Sequence, residues 1–383
     1  MKGYLQVGCA ICAALTMFAS TTLAVQIFFQ ENFDQLQLRP PVDEDPTTPF
    51  PEAFTHQPPS GWELDVSGVP GVGNPSVGVV EWEGWSFANK SFWIDVSQDE
   101  GRSQFTRGQG TVAVADPDEW NDRGNPANNV GFYNTFLETP FFDIGNLLQT
   151  GSRLQLQFDS SWRTQCCDDG DGFDPAGNNQ TASFTARFED GTEVALDRWE
   201  SAPFFFIDPF GIERPSTDPA DIPNPDFKSS NLNELVFIDL SPLLQVTNHS
   251  RFQIIFGMED AGDDWWFAMD NMQLISLTEV PGDMDLDSDV DVDDIDDFAQ
   301  AIHDAADYAA THFGESPATR GSDDSDFNFD DIDWFVNLLN GGGVAASRDT
   351  IIAAIQAQAV PEPSTLLLAS VVFSLGLGRR IRF

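Results

Sequence analysis

The chain has 383 residues, enough for two modest domains or one large sandwich with an appendage. Its 62 Asp and Glu against 18 Lys and Arg leave a net charge of −44. Such a field repels phosphate backbones and anionic lipid, which argues against a nucleic-acid partner, and it favours divalent cations, with Ca²⁺ the first to consider. At the start, Lys2, the apolar stretch Val7–Phe18 and the small residues Thr22, Leu23 and Ala24 have the order of a secretory signal over residues 1–24. A mature start near Val25 and an exported chain are expected. Cys9 and Cys12 read as small apolar residues of that signal. Cys166 and Cys167 remain, and as neighbours they cannot tie distant loops together.

Residues 25–277 carry β periodicity. Arg153-Leu154-Gln155-Leu156-Gln157-Phe158-Asp159 alternates polar and apolar side chains as a half-buried strand does. Thr181–Phe188, Arg251–Phe256 and Trp266–Leu277 repeat the pattern, Thr111–Ala115 reads as an inner strand, and Gly, Pro, Asn and Asp clusters punctuate them. A mainly β fold is predicted: an antiparallel two-sheet sandwich of jelly-roll type, with a long outer loop from Pro203 to Asn231.

Glu31-Asn32-Phe33-Asp34, Pro58-Pro59-Ser60-Gly61-Trp62 and Trp266-Phe267-Ala268-Met269-Asp270-Asn271-Met272 resemble exported jelly-roll domains of the MAM and concanavalin-like kind. That resemblance implies neighbouring first and last strands, with Asp34 and Asp270 as candidates for a structural Ca²⁺; turn and strand-end roles are the alternative. In Cys166-Cys167-Asp168-Asp169-Gly170-Asp171-Gly172, Asp169 and Asp171 are candidate ligands, against a solvated turn. Sugars offer apolar C–H faces to aromatic rings and hydroxyls to carboxylates. Trp85, Trp120 and Trp265, beside acids or loops, are therefore candidate glycan contacts, whereas the other tryptophans read as core.

Nucleophile elbows, Walker loops, dinucleotide fingerprints and His-rich metal triads are missing from the sequence, and no catalytic residue is assigned. A glycoside hydrolase needs just two carboxylates, and Glu81 and Glu83, on alternate positions of an expected strand, are the nominees for that alternative.

Composition changes near Pro281: nine of ten Trp lie before it, and seventeen Asp fall between Asp283 and Asp333. Numbered from Asp283, the run Asp283, Asp285, Asp287, Asp289, Asp291, Asp294 places carboxylates at positions 1, 3, 5, 7, 9 and 12, with Val290 at 8, and Ile295 and Phe298 then open an amphipathic helix. Position 7 supplies a carbonyl in such a loop, and the oxygen spacing suits a hard cation that takes about six to eight ligands. A second copy starts at Arg320, with Ser322, Asp324, Asp326, Asn328 and Asp331 as its oxygens and Asp331 standing 37 residues after Asp294. Closing on Asp rather than Glu, with no helix before the first loop, residues 278–340 resemble a dockerin-type calcium repeat, helical beyond each loop. Position 6 is Ser288 or Ser325 instead of Gly, and Arg320 stands where the first carboxylate of loop two belongs, so one strong and one weak site are expected. A solvated acidic linker is the alternative. The resemblance implies a cohesin-like partner.

Gly and Ala dominate Gly341–Gln358, and residues 341–359 read as a linker. Beyond it, Pro361-Glu362-Pro363 precedes the apolar run Leu366–Leu377 and then Arg379, Arg380 and Arg382. The Pro-Glu-Pro stops any helix, and the run is shorter than the roughly 20 residues of a stable span, with arginines set to stay inside. Residues 360–383 resemble a PEP-CTERM sorting signal. It implies processing by an exosortase after transient membrane anchoring, then release to the cell surface or extracellular matrix. The expected whole is a calcium-stabilised, non-catalytic protein associating with extracellular polysaccharide. A dockerin-bearing polysaccharide hydrolase and a purely structural matrix protein are the alternatives.

Overall fold

Alternation along Thr181–Phe188 turns directly into structure: Ala182, Phe184, Ala186 and Phe188 are buried, while Ser183, Thr185 and Arg187 are partly exposed on the other face. The computed structural model describes residues 25–358, except 75, 123–131, 148–151, 165–178, 241–242, 244–248, 263, 279, 287–289, 313–315 and 322–325. Its strands are β1 (Val25–Glu31), β2 (Phe54–Thr55), β3 (Glu63–Gly68), β4 (Ser86–Asn89), β5 (Thr111–Ala115) and β6 (Tyr133–Glu138). Next come β7 (Phe142–Asp143), β8 (Ser152–Trp162), β9 (Thr181–Phe188), β10 (Glu193–Glu200) and β11 (Phe204–Ile207). The series ends with β12 (Glu213–Ser216), β13 (Ile222–Pro223), β14 (Asn231–Asp239), β15 (Arg251–Ala261) and β16 (Phe267–Thr278).

Two antiparallel sheets result. One runs β14-β8-β16-β5-β4-β2, with β1 also on β16, and the other runs β10-β9-β15-β6-β3, with β7 also on β15. The first and last strands of the sandwich are neighbours, Val25 opposite Leu277 and Glu31 opposite Met272. Between the sheets, Phe158 and Phe267 of one meet Phe184, Phe256 and Trp199 of the other, with Phe184 and Trp199 centroids 4.6 Å apart. Such rings bring large apolar areas to the contact between the sheets.

Three expectations change. Gln155, Gln157 and Asp159 are buried along with the apolar residues of β8, which is paired on both sides by β14 and β16; Gln157 Nε2 donates to Gln273 Oε1 at 2.6 Å. The long loop Pro203–Asn231 contains a small three-stranded sheet, β12-β11-β13. The stretch read as a linker holds a helix, Arg348–Gln358, whose Ile351 and Ile355, one turn apart, are buried in the core of the acidic region.

That acidic region has its own core, separate from the sandwich. Helices Asp294–His303, Ala305–Thr311 and Asp331–Gly341 join Arg348–Gln358 around Phe298, Tyr308, Ile332, Phe335 and Leu339. Phe298 and Phe335, each four residues after the Asp that closes its loop, stack at 4.2 Å with planes 3° apart.

An acidic chain must also dispose of the carboxylates it buries. Asp116 caps the short helix Pro117–Asn121 by accepting from Glu119 N, and proline at the first helical position needs no N–H partner. That turn gathers Asp116, Asp118 and Glu119 around the fully buried Arg102, whose Nη2 lies 3.0, 2.9 and 3.0 Å from them, while Nη1 reaches Glu100 at 3.0 Å. Trp93 Nε1 donates to Asp116 at 2.6 Å. One guanidinium cannot neutralise four carboxylates, so burial and mutual repulsion push Asp118 and Glu119 upward. Nearby, burial pushes Glu44 up to about 7, despite the hydrogen bond from Trp82 that lowers it.

These groups hold protons in the folded state that the unfolded chain releases between about pH 4 and 7. Folded-state stability therefore falls as pH rises through that window. The urea midpoint of the sandwich is expected to be higher at pH 5.5 than at pH 8. Arg102→Met should destabilise by ~3–5 kcal/mol, with the larger loss at pH 8. A midpoint that climbs from pH 5.5 to 8 contradicts this account.

Candidate functional site

Asp294 starts a helix and closes the first acidic loop on itself. Its Oδ1 accepts from the backbone N–H groups of Met284 and of Asp285 (3.1 Å), and its Oδ2 from that of Asp291 (2.7 Å). One oxygen from each of Asp283, Asp285 and Asp294 lies within 4.8 Å of the others, with Asp283 and Asp294 buried. Burial pushes the Asp294 carboxyl up to about 7 and the Asp285 charge adds to it, while the backbone N–H groups pull it down. Three converging hard oxygens under mutual repulsion fit a divalent cation, which would favour their ionised forms. Asp291 is not one of this set; its carboxylate accepts from Asp293 N at 2.7 Å. Asp287 and Asp289 fall outside the described residues.

The second loop repeats part of this pattern. Asn328 N donates to Asp331 Oδ2 at 2.8 Å as Asp291 N does to Asp294, and Asp330 N donates to Asn328 Oδ1 at 2.8 Å as Asp293 N does to Asp291. Asp331 is buried and Asp326 exposed. Ser322 and Asp324 lie outside the described residues, as do Asp169 and Asp171, and so do Pro361, Glu362, Pro363, Arg379 and Arg380 of the tail. No helix among the described residues is long and apolar enough to cross a membrane.

Asp34 and Asp270 do meet, on one loop. Asp34 accepts from Thr111 N and Asp270 from Gln109 N, each at 2.9 Å, so the pair pins the approach to β5. Burial, reinforced by the Asp34 and Asp159 charges, pushes Asp270 up to about 7. Cations are already close by. Lys90 donates its ammonium to the carbonyls of Phe105 and Gly108, and Arg107 Nη1 reaches Asp159 at 3.3 Å.

The tryptophan expectation is corrected. Trp85 and Trp120 are fully buried: after the turn at Gly84, Trp85 enters between the sheets and donates to Phe256 O at 3.2 Å, and Trp120 packs on Tyr133. Trp265 is half-buried, its ring covered by Arg163 at 3.4 Å. Glu81 and Glu83 do not share a strand face either, because Val80–Trp82 is a single 3₁₀ turn. Glu81 clamps the N–H groups of Val42, Asp43 and Glu44, and Glu83 accepts from Gly73 N.

What the sequence reading missed is the outer face of the β10-β9-β15-β6-β3 sheet, a groove of about 400 Å³. Register aligns Asp65, Phe136, Gly257, Ser183 and Arg198 in one row across all five strands. Gly257 is required there: a Cβ would stand 2.2 Å from Ser183 Oγ, 3.0 Å from the Phe136 ring and 3.1 Å from Glu259 Oε1. Those three groups therefore converge over Gly257 and fill the space a side chain would take, with Ser183 donating to Glu259 at 2.5 Å. Phe136 is half-exposed. The groove's guanidiniums are committed, Arg187 to Glu138 and Glu193 at 2.7 Å each and Arg198 to Glu200. With Asp65, Glu138, Glu193, Asp197 and Glu259 along it, the face is net negative and rich in acceptors. The alternation of β9 and β15 carried half of this signal; the cross-strand register carried the rest.

No family model and no curated protein matches the chain. Among solved structures, it aligns with an apo cyclase from Fischerella sp. at 12% identity and TM-score 0.32, covering 64% of this chain and 93% of that one. It aligns with the K3 cleaved adhesin domain of Lys-gingipain from Porphyromonas gingivalis w83 at 11% identity and TM-score 0.26, covering 57% and 92%. For TmCBM61 in complex with β-1,4-galactotriose, the values are 10% and 0.25, covering 56% and 88%. At scores of this size no ligand or activity carries over to this chain.

For the acidic loop, Asp294→Asn turns an acceptor into a donor facing backbone N–H groups and should destabilise the C-terminal core by ~1–3 kcal/mol. Calcium is expected to raise the melting transition of that core in the wild type, reversibly with chelator, and to leave Asp294→Asn unmoved. An equal calcium shift in both proteins removes Asp294 from the site.

Proposed function

We propose that this chain is an exported protein, sorted by an exosortase through its C-terminal tail, whose β-sandwich associates with extracellular polysaccharide without catalysis. Residues 278–340 form a dockerin-like module stabilised by Ca²⁺ at Asp283, Asp285 and Asp294. The observation that carries the polysaccharide reading is the row Asp65, Phe136, Gly257, Ser183 and Arg198 with Glu259 beside it. A sugar ring sets its apolar C–H face on an aromatic ring and donates its hydroxyls to carboxylates, and this face supplies both, the Phe136 ring with Asp65 opposite it and Glu259 beside it. An open sheet face also suits a chain running through rather than a small molecule enclosed.

Charge narrows the class. Five carboxylates line the groove, and its two guanidiniums are already paired. A uronate would bring another negative charge to that face, so the ligand is a neutral or amine-bearing glycan. Glu81 and Glu83, the nominees for a hydrolase, are both engaged with backbone N–H groups. Release of reducing sugar from the bound polysaccharide would replace this reading with the hydrolase.

Depletion from solution on insoluble neutral polysaccharides, compared with alginate and pectate gels, checks the proposal. Retention is expected on a neutral glycan and on neither uronate. Phe136→Ala should weaken it about tenfold, equivalent to ~1.4 kcal/mol, with the melting temperature nearly unchanged. Equal retention of wild type and Phe136→Ala would sink the assignment of the groove.

A further inference from the structure

The two acidic loops meet at their first positions, and the residues there have opposite charge. Asp283 opens loop one and Arg320 opens loop two. Both are fully buried, and Arg320 Nη1 stands 3.6 Å from Asp283 Oδ2 while also donating to Val280 O at 3.4 Å. Gly282 N donates to Arg320 O at 2.9 Å, which ties the two loop entrances together through the backbone as well. At its far end loop two retains the hydrogen bonds of loop one, through Asn328 and Asp331, and its helix is in register with its counterpart through the Phe298 and Phe335 stack. The second loop therefore keeps the closing hydrogen bonds of the first although its first ligand position carries a cation.

We propose that the guanidinium of Arg320 takes the place of a second calcium ion: it supplies in covalent form the positive charge that loop two lacks, and it holds Asp283 in position for the ion of loop one. This rests on the calcium reading of loop one. A dication in loop two would lack the first carboxylate, and the side chain in its place is a cation that has no oxygen to offer. A fixed charge is indifferent to the calcium supply, so half of the module keeps its shape when calcium is scarce. A single ion then tunes the other half. Arg suits the place because its planar group remains charged when fully buried.

The test counts calcium per full chain, by atomic emission after gel filtration, in wild type, Asp294→Asn, Arg320→Asp and Arg320→Lys. Arg320→Asp restores the first carboxylate and is expected to hold one more ion than the wild type. It should also lose its C-terminal helical circular dichroism in chelator and regain it with calcium. Arg320→Lys should count as the wild type does, and Asp294→Asn one ion fewer. A count that falls with Asp294→Asn but does not rise with Arg320→Asp overturns this inference and leaves the calcium reading standing. An Arg320→Asp protein that stays unfolded at saturating calcium overturns it too, since an ion then cannot replace the guanidinium. A wild-type count unaffected by Asp294→Asn overturns the calcium reading and this inference with it.

Discussion

Arg102 sits fully buried among Glu100, Asp116, Asp118 and Glu119, and its position shows how a chain with 62 acids and 18 bases can fold at all. Every carboxyl group taken out of water needs a compensating positive potential or keeps its proton, as Glu44, Asp118 and Glu119 do. Bases are too few to pair one to one, so each buried base is shared or its work is passed to backbone N–H groups. Glu81 takes the N–H groups of Val42, Asp43 and Glu44, and Asp294 those of Met284, Asp285 and Asp291. Asp34 and Asp270 hold the segment before β5 in the same way. The consequence is structural: acids that look like surface charge in the sequence fasten loops to the sheets.

That economy of bases also shapes the two surfaces with functional chemistry. On the five-strand face, the guanidiniums of Arg187 and Arg198 are engaged by acids, so what faces outward is acceptor-rich and aromatic rather than basic. In the acidic module, Arg320 is a fully buried base and stands where the two loops join. A proposed ion in loop one and a guanidinium at the mouth of loop two are two answers to the same electrostatic demand. In the sandwich Arg102 meets the same demand, and aromatic packing between the sheets adds to its cohesion.

Local patterns were legible where a single period decided the outcome. Thr181–Phe188 and Thr111–Ala115 are strands with the bounds their alternation and apolar run imply, and the amphipathic starts after Asp294 and Asp331 are helices. Legibility failed where a side chain's fate depends on a partner far along the chain. Trp85 precedes β4 in an acidic, apparently exposed stretch, yet its indole is committed to Phe256 O. Ile351 and Ile355 hide in an Ala-rich run that composition alone reads as linker, and the core formed by Phe298 and Phe335 is what recruits them.

The sequence by itself determined the mainly β sandwich, the acidic repeat with its 37-residue spacing, and the change of composition near Pro281, because each is a local regularity of side-chain type. Tertiary structure alone decided which acids become loop clamps and which become a candidate ion site. It also decided that Asp65, Phe136, Gly257, Ser183 and Arg198 form one row. The physical reason is register: these residues come from five strands separated by as many as 192 positions, from Asp65 to Gly257, and no local pattern records which residues hydrogen bonding will set side by side.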